Sequence, residues 1–184
     1  DGDNWISYHC ESNATNPQQY YYEFQNTDAR KGANDAFMWD DISPDSNTFG
    51  LYSDGAVNNN GSNIIAWVWS EVAGYSKFGS YIGNGNFHGQ YIFLGFRPAL
   101  VIVKSNANGE PWVMFDSKRN PNNAVTKRLR ANESSGEDDA SGRYKDFLAN
   151  GFKARGTSGE QNSNGQRYIY MAWAETPFKY ARAR

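Results

Sequence analysis

A single cysteine, Cys10, stands in this 184-residue chain, so no internal disulfide can hold it together. Histidine is almost as scarce: His9 and His88 are the only two available for metal ligation or acid–base work near neutral pH. Five leucines (Leu51, Leu94, Leu100, Leu129, Leu148) face 6 Trp, 12 Tyr and 11 Phe, a balance that disfavours helices and suits strands. Neither sign of charge is in excess. With 18 Lys+Arg and 20 Asp+Glu the net charge is −2, so composition points neither to nucleic acid nor to a membrane as partner. No apolar run approaches the roughly 20 residues that cross a bilayer, and no charged-then-apolar leader opens the chain. Asp1 in place of Met gives the expectation of a processed product or a piece of something longer.

What is present is turn chemistry and aromatic bulk. The 18 Gly and 21 Asn punctuate the sequence throughout, as expected of many short strands joined by turns. One aromatic in about six residues supplies more burial than disordered segments have. We therefore expect an all-β, antiparallel β-sandwich whose stability rests on packing. This length suits one large sandwich or two small domains.

An internal repeat is the next expectation. Asn60–Glu71 set above Asn164–Glu175 is identical at Asn, Gly, Ile, Trp and Glu, five positions of twelve where chance gives about one. The alignment extends to Phe49 over Phe152, Tyr75 over Phe178, and Trp5-Ile6-Ser7-Tyr8 over Trp112-Val113-Met114-Phe115. This predicts a tandem duplication of a unit about 105 residues long, with an incomplete first repeat over 1–77 and a complete second over 78–184. Roughly 30 residues that precede Trp112 in the second copy have no counterpart before Trp5. Either the chain is the C-terminal part of a longer protein, or a neighbouring subunit supplies the missing strands by β-augmentation.

Period and content place the strands. Ile65, Trp67 and Trp69 fall on one face of a strand that carries Ile64, Ala66 and Val68 on the other; Ile169, Met171 and Trp173 likewise lie opposite Tyr168, Tyr170 and Ala172. Apolar residues on both faces predict central strands, with Ile65, Trp67, Trp69, Ile169, Met171 and Trp173 as structural core. Leu100–Val103, begun by Pro98, is another such run, and Tyr91–Leu94 and Trp112–Phe115 are shorter ones. Turns are expected at Gly83–Asn86, at 106–109 and at Asn162–Gly165. Arg143–Gly151 suits one helical turn or a strand leading into a loop, and Ser134–Gly142 suits a surface loop.

The order of five motifs resembles a known family. Gly74-Tyr75-Ser76-Lys77-Phe78-Gly79-Ser80-Tyr81-Ile82-Gly83-Asn84-Gly85, Gly95-Phe96-Arg97-Pro98-Ala99, Ala131-Asn132-Glu133-Ser134, Asp146–Lys153 and the stretch from Tyr168 to Ala181 are similar to a repeated domain at the C-termini of tail and tail-fibre proteins of tailed bacteriophages. The resemblance implies a β-sandwich of concanavalin-like or jelly-roll character on a virion appendage, hence extracellular, with no catalytic residue to carry over. Residues Asn16–Asn47 match the second copy poorly and depart from the pattern.

Chemistry-bearing patterns are sparse. His9 beside Cys10 lacks a second cluster at zinc spacing, and Gly83-Asn84-Gly85 lacks the third glycine and following helix of a phosphate cradle. No nucleophile elbow occurs. Glu71 and Glu175 hold the same place in both copies, which points to a repeated structural duty, pairing with Arg or capping backbone donors, more than to paired-carboxylate hydrolysis. Asp3, Asp45, Asp54, Asp138 and Asp139 lie in loop-like stretches where calcium would find oxygen ligands, though none has EF-hand spacing. We expect no cofactor, no metal and no enzymatic activity. Tyr20, Tyr21 and Tyr22, with Phe37, Trp39 and Asp40, are the candidates for a carbohydrate platform or a subunit interface. The expected role is a structural and adhesive tail module that self-associates, binds other virion tail proteins and touches host-surface glycan. The competing expectation is a secreted lectin-like domain.

Overall fold

The computed structural model describes residues 5–24, 30–32, 38–39, 42–107, 109–139 and 142–177. Among them the chain is nearly all β and its sheets are antiparallel. The largest sheet is built from β4 (Ser76–Ile82), β6 (Pro98–Ser105), β7 (Val113–Asp116), β8 (Lys127–Arg130), β9 (Asp138–Asp139) and β12 (Arg167–Ala174), in the order β4-β12-β6-β7-β8-β9. A second sheet, β10-β11-β5, comprises β10 (Arg143–Leu148), β11 (Gly151–Gly156) and β5 (Tyr91–Phe93). A third, β1-β2-β3, is made from β1 (Ile6–Ser7), β2 (Tyr20–Glu23) and β3 (Lys31–Gly32).

The two-residue alternation of strands decides which side chains meet. Along β12, Tyr168, Tyr170 and Ala172 join Val101, Val103, Val113, Phe115 and Tyr81 on one face of the large sheet; Ile92, Phe147, Phe152 and Ala154 of the second sheet pack against them. This is the sandwich core. The opposite face of β12 presents Ile169 and Met171, which with Ile102 and Trp112 are covered by Tyr22 and Phe24 of the N-terminal segment. Trp112 is 1 % exposed, its ring 5.7 Å from Tyr22 and 5.0 Å from Phe24. Residues 5–24 thus form a third layer on the back of the large sheet.

The second central strand expected from the repeat is β12, hydrogen-bonded to β4 on one side and β6 on the other, with Ile169 buried, and Met171 and Trp173 half-buried. Trp173 packs edge-on against Phe78 at 5.7 Å. Its counterpart is different. Residues 64–70 form no strand, and Ile65, Trp67 and Trp69 are 73 %, 54 % and 59 % exposed, so their placement in a core is corrected. The physical reason is the backbone's partners: β12 is a strand because β4 and β6 satisfy its hydrogen-bonding groups, whereas among the described residues no strand pairs with 64–70. Trp69 and Trp173 therefore occupy non-equivalent surroundings, and the fold does not display two equal copies.

Smaller expectations also resolve. Pro98 opens β6, Tyr91–Phe93 is β5, and Arg143–Leu148 is a strand, not a helical turn. Gly85, Gly109 and Gly165 have positive φ at the expected turns. Asp138–Asp139, expected in a loop, pairs with β8 as the sheet's last strand. Helix α1 (Gly55–Asn58) is one turn, capped by Asp54, whose carboxylate accepts from the Ala56 N–H at 2.8 Å.

Candidate interaction surface

Among the described residues, exposed large apolar side chains are densest in one stretch. Ile64, Ile65, Trp67, Val68, Trp69 and Val72 fall within nine consecutive residues and each is more than a third exposed. Between Asn63 and Trp69 the backbone makes no hydrogen bond among the described residues. Trp67 is braced on one face by Trp5, the indoles stacked at 4.8 Å and 12°. The stretch leads straight into β4 through a tight turn in which Val72 and Ser76 exchange backbone hydrogen bonds at 3.2 and 3.0 Å, with Gly74 at φ 75°.

Before that turn the chain is steered away from β4. Ser76 Oγ donates to the Ser70 carbonyl at 2.8 Å, and the Glu71 carboxylate accepts the Phe78 N–H at 3.0 Å. These side chains occupy groups that a continuing hairpin would use. Glu175, the aligned carboxylate, instead accepts from Arg97 Nε at 2.9 Å and from Ser117 Oγ at 3.3 Å. One glutamate caps backbone and the other pairs with arginine.

The aromatic cluster singled out from the sequence turns inward. Tyr22 is fully buried and its hydroxyl donates to Asn106 Oδ1 at 2.6 Å; burial pushes its pKa well up. Tyr21 packs on the opposite side, against Met38, Trp39 and Val57. Trp39 is 8 % exposed and donates from Nε1 to the Tyr20 carbonyl at 3.2 Å. Tyr20 is half-buried, its ring face covered by the Arg30 guanidinium at 3.7 Å. Tyr22 and Trp39 are therefore removed as sugar platforms, because rings this buried have no open face to offer. Phe37 and Asp40 lie outside the described residues.

Sequence reasoning missed three buried polar clusters. Lys145 alternates with Phe147 on the inward face of β10 and is fully buried; Nζ donates to Gln161 Oε1 at 2.9 Å and lies 5.0 Å from the Phe115 ring and 5.3 Å from Phe152. Desolvation lowers its pKa to about 7. Gln161 is held by its own donors, Nε2 reaching the carbonyls of Tyr144 at 3.2 Å and Arg155 at 2.6 Å. Asn162 Nδ2 likewise donates to Asn84 Oδ1, the Asn86 carbonyl and the Gly156 carbonyl. Gln161-Asn162 read from sequence is an ordinary polar turn, and only burial reveals it as a staple between loops.

The second cluster centres on Arg128, 1 % exposed, which grips Asp138 with Nε at 2.6 Å and Nη2 at 3.0 Å and pairs through Nη1 with Glu160. Arg130 adds a 2.7 Å bond to Asp138, and the two arginines hold that carboxyl below its usual range. The third is His9. Its Nδ1 accepts the Glu11 N–H at 3.1 Å while Nε2 lies 3.1 Å from the Tyr170 carbonyl, which together fix a neutral ring protonated on Nε2. Burial lowers its pKa to about 4. Cys10 is free and exposed at the surface, and partial desolvation with the nearby Glu11 and Glu71 carboxylates raises its thiol pKa.

Among the described residues no three His, Cys, Asp or Glu side chains gather to hold a metal ion, and no helix is long and apolar enough to cross a membrane. Of the acidic residues considered for calcium, Asp54 caps α1, Asp138 is taken by arginine, Asp45 accepts the N–H groups of Asn47 and Thr48 at 2.7 Å each, and Asp3 lies outside the described residues. What the arrangement offers is a polar-stapled sandwich beside an apolar ribbon unpaired among the described residues. No curated protein and no solved structure matches the chain. A family described as a domain of unknown function, DUF7483, matches residues 1–177, and the chain belongs to that family.

Proposed function

We propose that this chain is a structural and adhesive β-sandwich module of a phage tail or tail fibre, which works by presenting surface loops and by associating with copies of itself, and is not an enzyme. The observation that carries the self-association is the exposed, uncharged apolar stretch of Asn63–Ser70 on an otherwise well-packed scaffold. The motif order from Gly74 to Ala181 supports the location. Polar staples at Gln161 and Asn162 support the presentation of loops, since they hold the connections around Asn84 and Gly156 rigid without a catalytic constellation. Mass spectrometry and antibody-gold labelling of purified virions test the reading: the chain's peptides and the label belong at the tail, and particles free of it would overturn the proposal.

One feature favours a lectin-like binding domain as second reading. Tyr91 and Phe93 are about half exposed on one face of the edge strand β5, and Lys77 Nζ donates to the Phe93 carbonyl at 3.2 Å, so flat apolar rings sit beside a charged donor. Glycan-array binding by the purified chain, lost in Tyr91→Ala, would favour this alternative.

A further inference from the structure

We propose that two copies of this chain join through Asn63–Ser70, the two segments pairing as antiparallel strands about a two-fold axis at Trp67. The inference rests on the self-association reading above and names its surface.

Four observations converge on it. The segment is built as a strand: it has no charge, no Gly and no Pro, and its β-branched and aromatic residues are those that favour pleated pairing. It parallels the sequence of β12, which in this fold is hydrogen-bonded on both sides. Its own backbone is unpaired from Asn63 to Trp69 among the described residues. And closure onto β4 of the same chain is obstructed where Ser76 Oγ holds the Ser70 carbonyl and Glu71 holds the Phe78 N–H. A strand-forming ribbon unpaired among the described residues, with the nearest edge in its own chain blocked, is a template for another chain.

Self-complementarity selects a second copy as that chain. With Trp67 opposite the second copy's Trp67, Ile65 faces the second copy's Trp69 on one side of the ribbon, and Ala66 faces its Val68 on the other. Large meets large and small meets small. The flanking Glu71 falls opposite the second copy's Asn63, so no like charges oppose one another. In-register parallel pairing would set Glu71 against Glu71; the antiparallel two-fold avoids this and makes one isologous contact from the same patch of both copies. Trp5, already stacked on Trp67, extends the aromatic surface around the axis.

The test is sedimentation equilibrium of the intact chain, with Trp67→Lys as the disrupting variant. Lysines facing one another on the axis are expected to weaken association by about a hundredfold or more, turning a species of twice the chain mass into monomer. The substitution replaces a side chain about half exposed, so the unfolding transition, compared at a dilution where both proteins are monomeric, serves as control and is expected to stay in place. Register is read separately in a Cys10→Ser background, which removes the free thiol. Directly opposed Cα atoms lie about 4.5–5.5 Å apart in an antiparallel pair, within disulfide reach. Trp67→Cys is therefore expected to crosslink two chains on mild oxidation and Ile64→Cys is not. A dimer that survives Trp67→Lys, or equal crosslinking at both positions, overturns this surface while leaving self-association standing. A chain that stays monomeric at about 100 µM overturns both.

Discussion

Removing the charge from Lys145 tests the energetics of the core most directly. The amine is fully buried with one hydrogen bond among the described residues and aromatic rings around it, and burial alone brings its pKa from 10.5 to about 7. A base whose pKa is lower in the folded state leaves the unfolded chain holding more protons between those two values, so stability rises with pH through that window. Taking 10.5 unfolded and about 7 folded, the penalty for the buried site is about 5 kcal/mol at pH 6 and about 2 kcal/mol at pH 9. Lys145→Met abolishes this dependence, at the cost of about 1–3 kcal/mol for leaving Gln161 Oε1 without its donor. Urea unfolding at pH 6 and pH 9 reads the result. The stability of wild type relative to the variant should rise by about 2–3 kcal/mol across that range, and other titrating groups cancel in the comparison. The competing effect is attraction of the ammonium to the faces of Phe115, Phe152 and Tyr81, each worth about 0.5–2 kcal/mol when desolvated. If those rings hold the charge, the lysine stays protonated and the two proteins show parallel pH profiles. That outcome would refute desolvation as the winner.

Acid should act through His9: its pKa falls from 6.5 to about 4 in the fold, so the stability of the neutral ring is present above 6.5 and about 3 kcal/mol of it is lost as the pH drops to 4, a loss that His9→Gln removes in acid titration followed by tryptophan fluorescence. Trp112→Ala is expected to cost about 3–5 kcal/mol in urea unfolding, whereas Trp69→Ala measured in isolated monomers should stay within about 0.5 kcal/mol, because only the first side chain leaves a cavity. Arg128→Ala should destabilise by about 2–4 kcal/mol, read as a lowered denaturation midpoint, since Asp138 loses its bidentate partner and Glu160 is left with the longer contacts to Arg130 and Arg143 at 3.6 and 3.7 Å. Gly156→Ala should prevent soluble expression of folded protein: its φ is +92° and an added Cβ would collide with the Gly142 carbonyl, which the β10–β11 pairing fixes in place.

The sequence by itself determined the β class and most of the second half's strands, because alternation and turn residues act locally. Pro98 before Leu100–Val103, the Tyr168–Ala172 alternation and the glycines at Gly85 and Gly165 each specify their conformation within a few residues. It also predicted a buried central strand over Ile64–Trp69, where the fold has an exposed, irregular segment. Only the tertiary structure decided that no strand among the described residues pairs with this stretch while β12 has strands on both sides, since a strand exists by virtue of its neighbours and periodicity reports one chain segment at a time. The same limit explains Tyr20–Tyr22: the spacing showed alternate faces, but that Trp112 waits under Tyr22 depends on a residue 90 positions away. Lys145, Gln161 and Arg128 were illegible for a related reason. A polar side chain looks the same in sequence whether water or three aromatic rings surround it, and only the packing of two sheets removes the water.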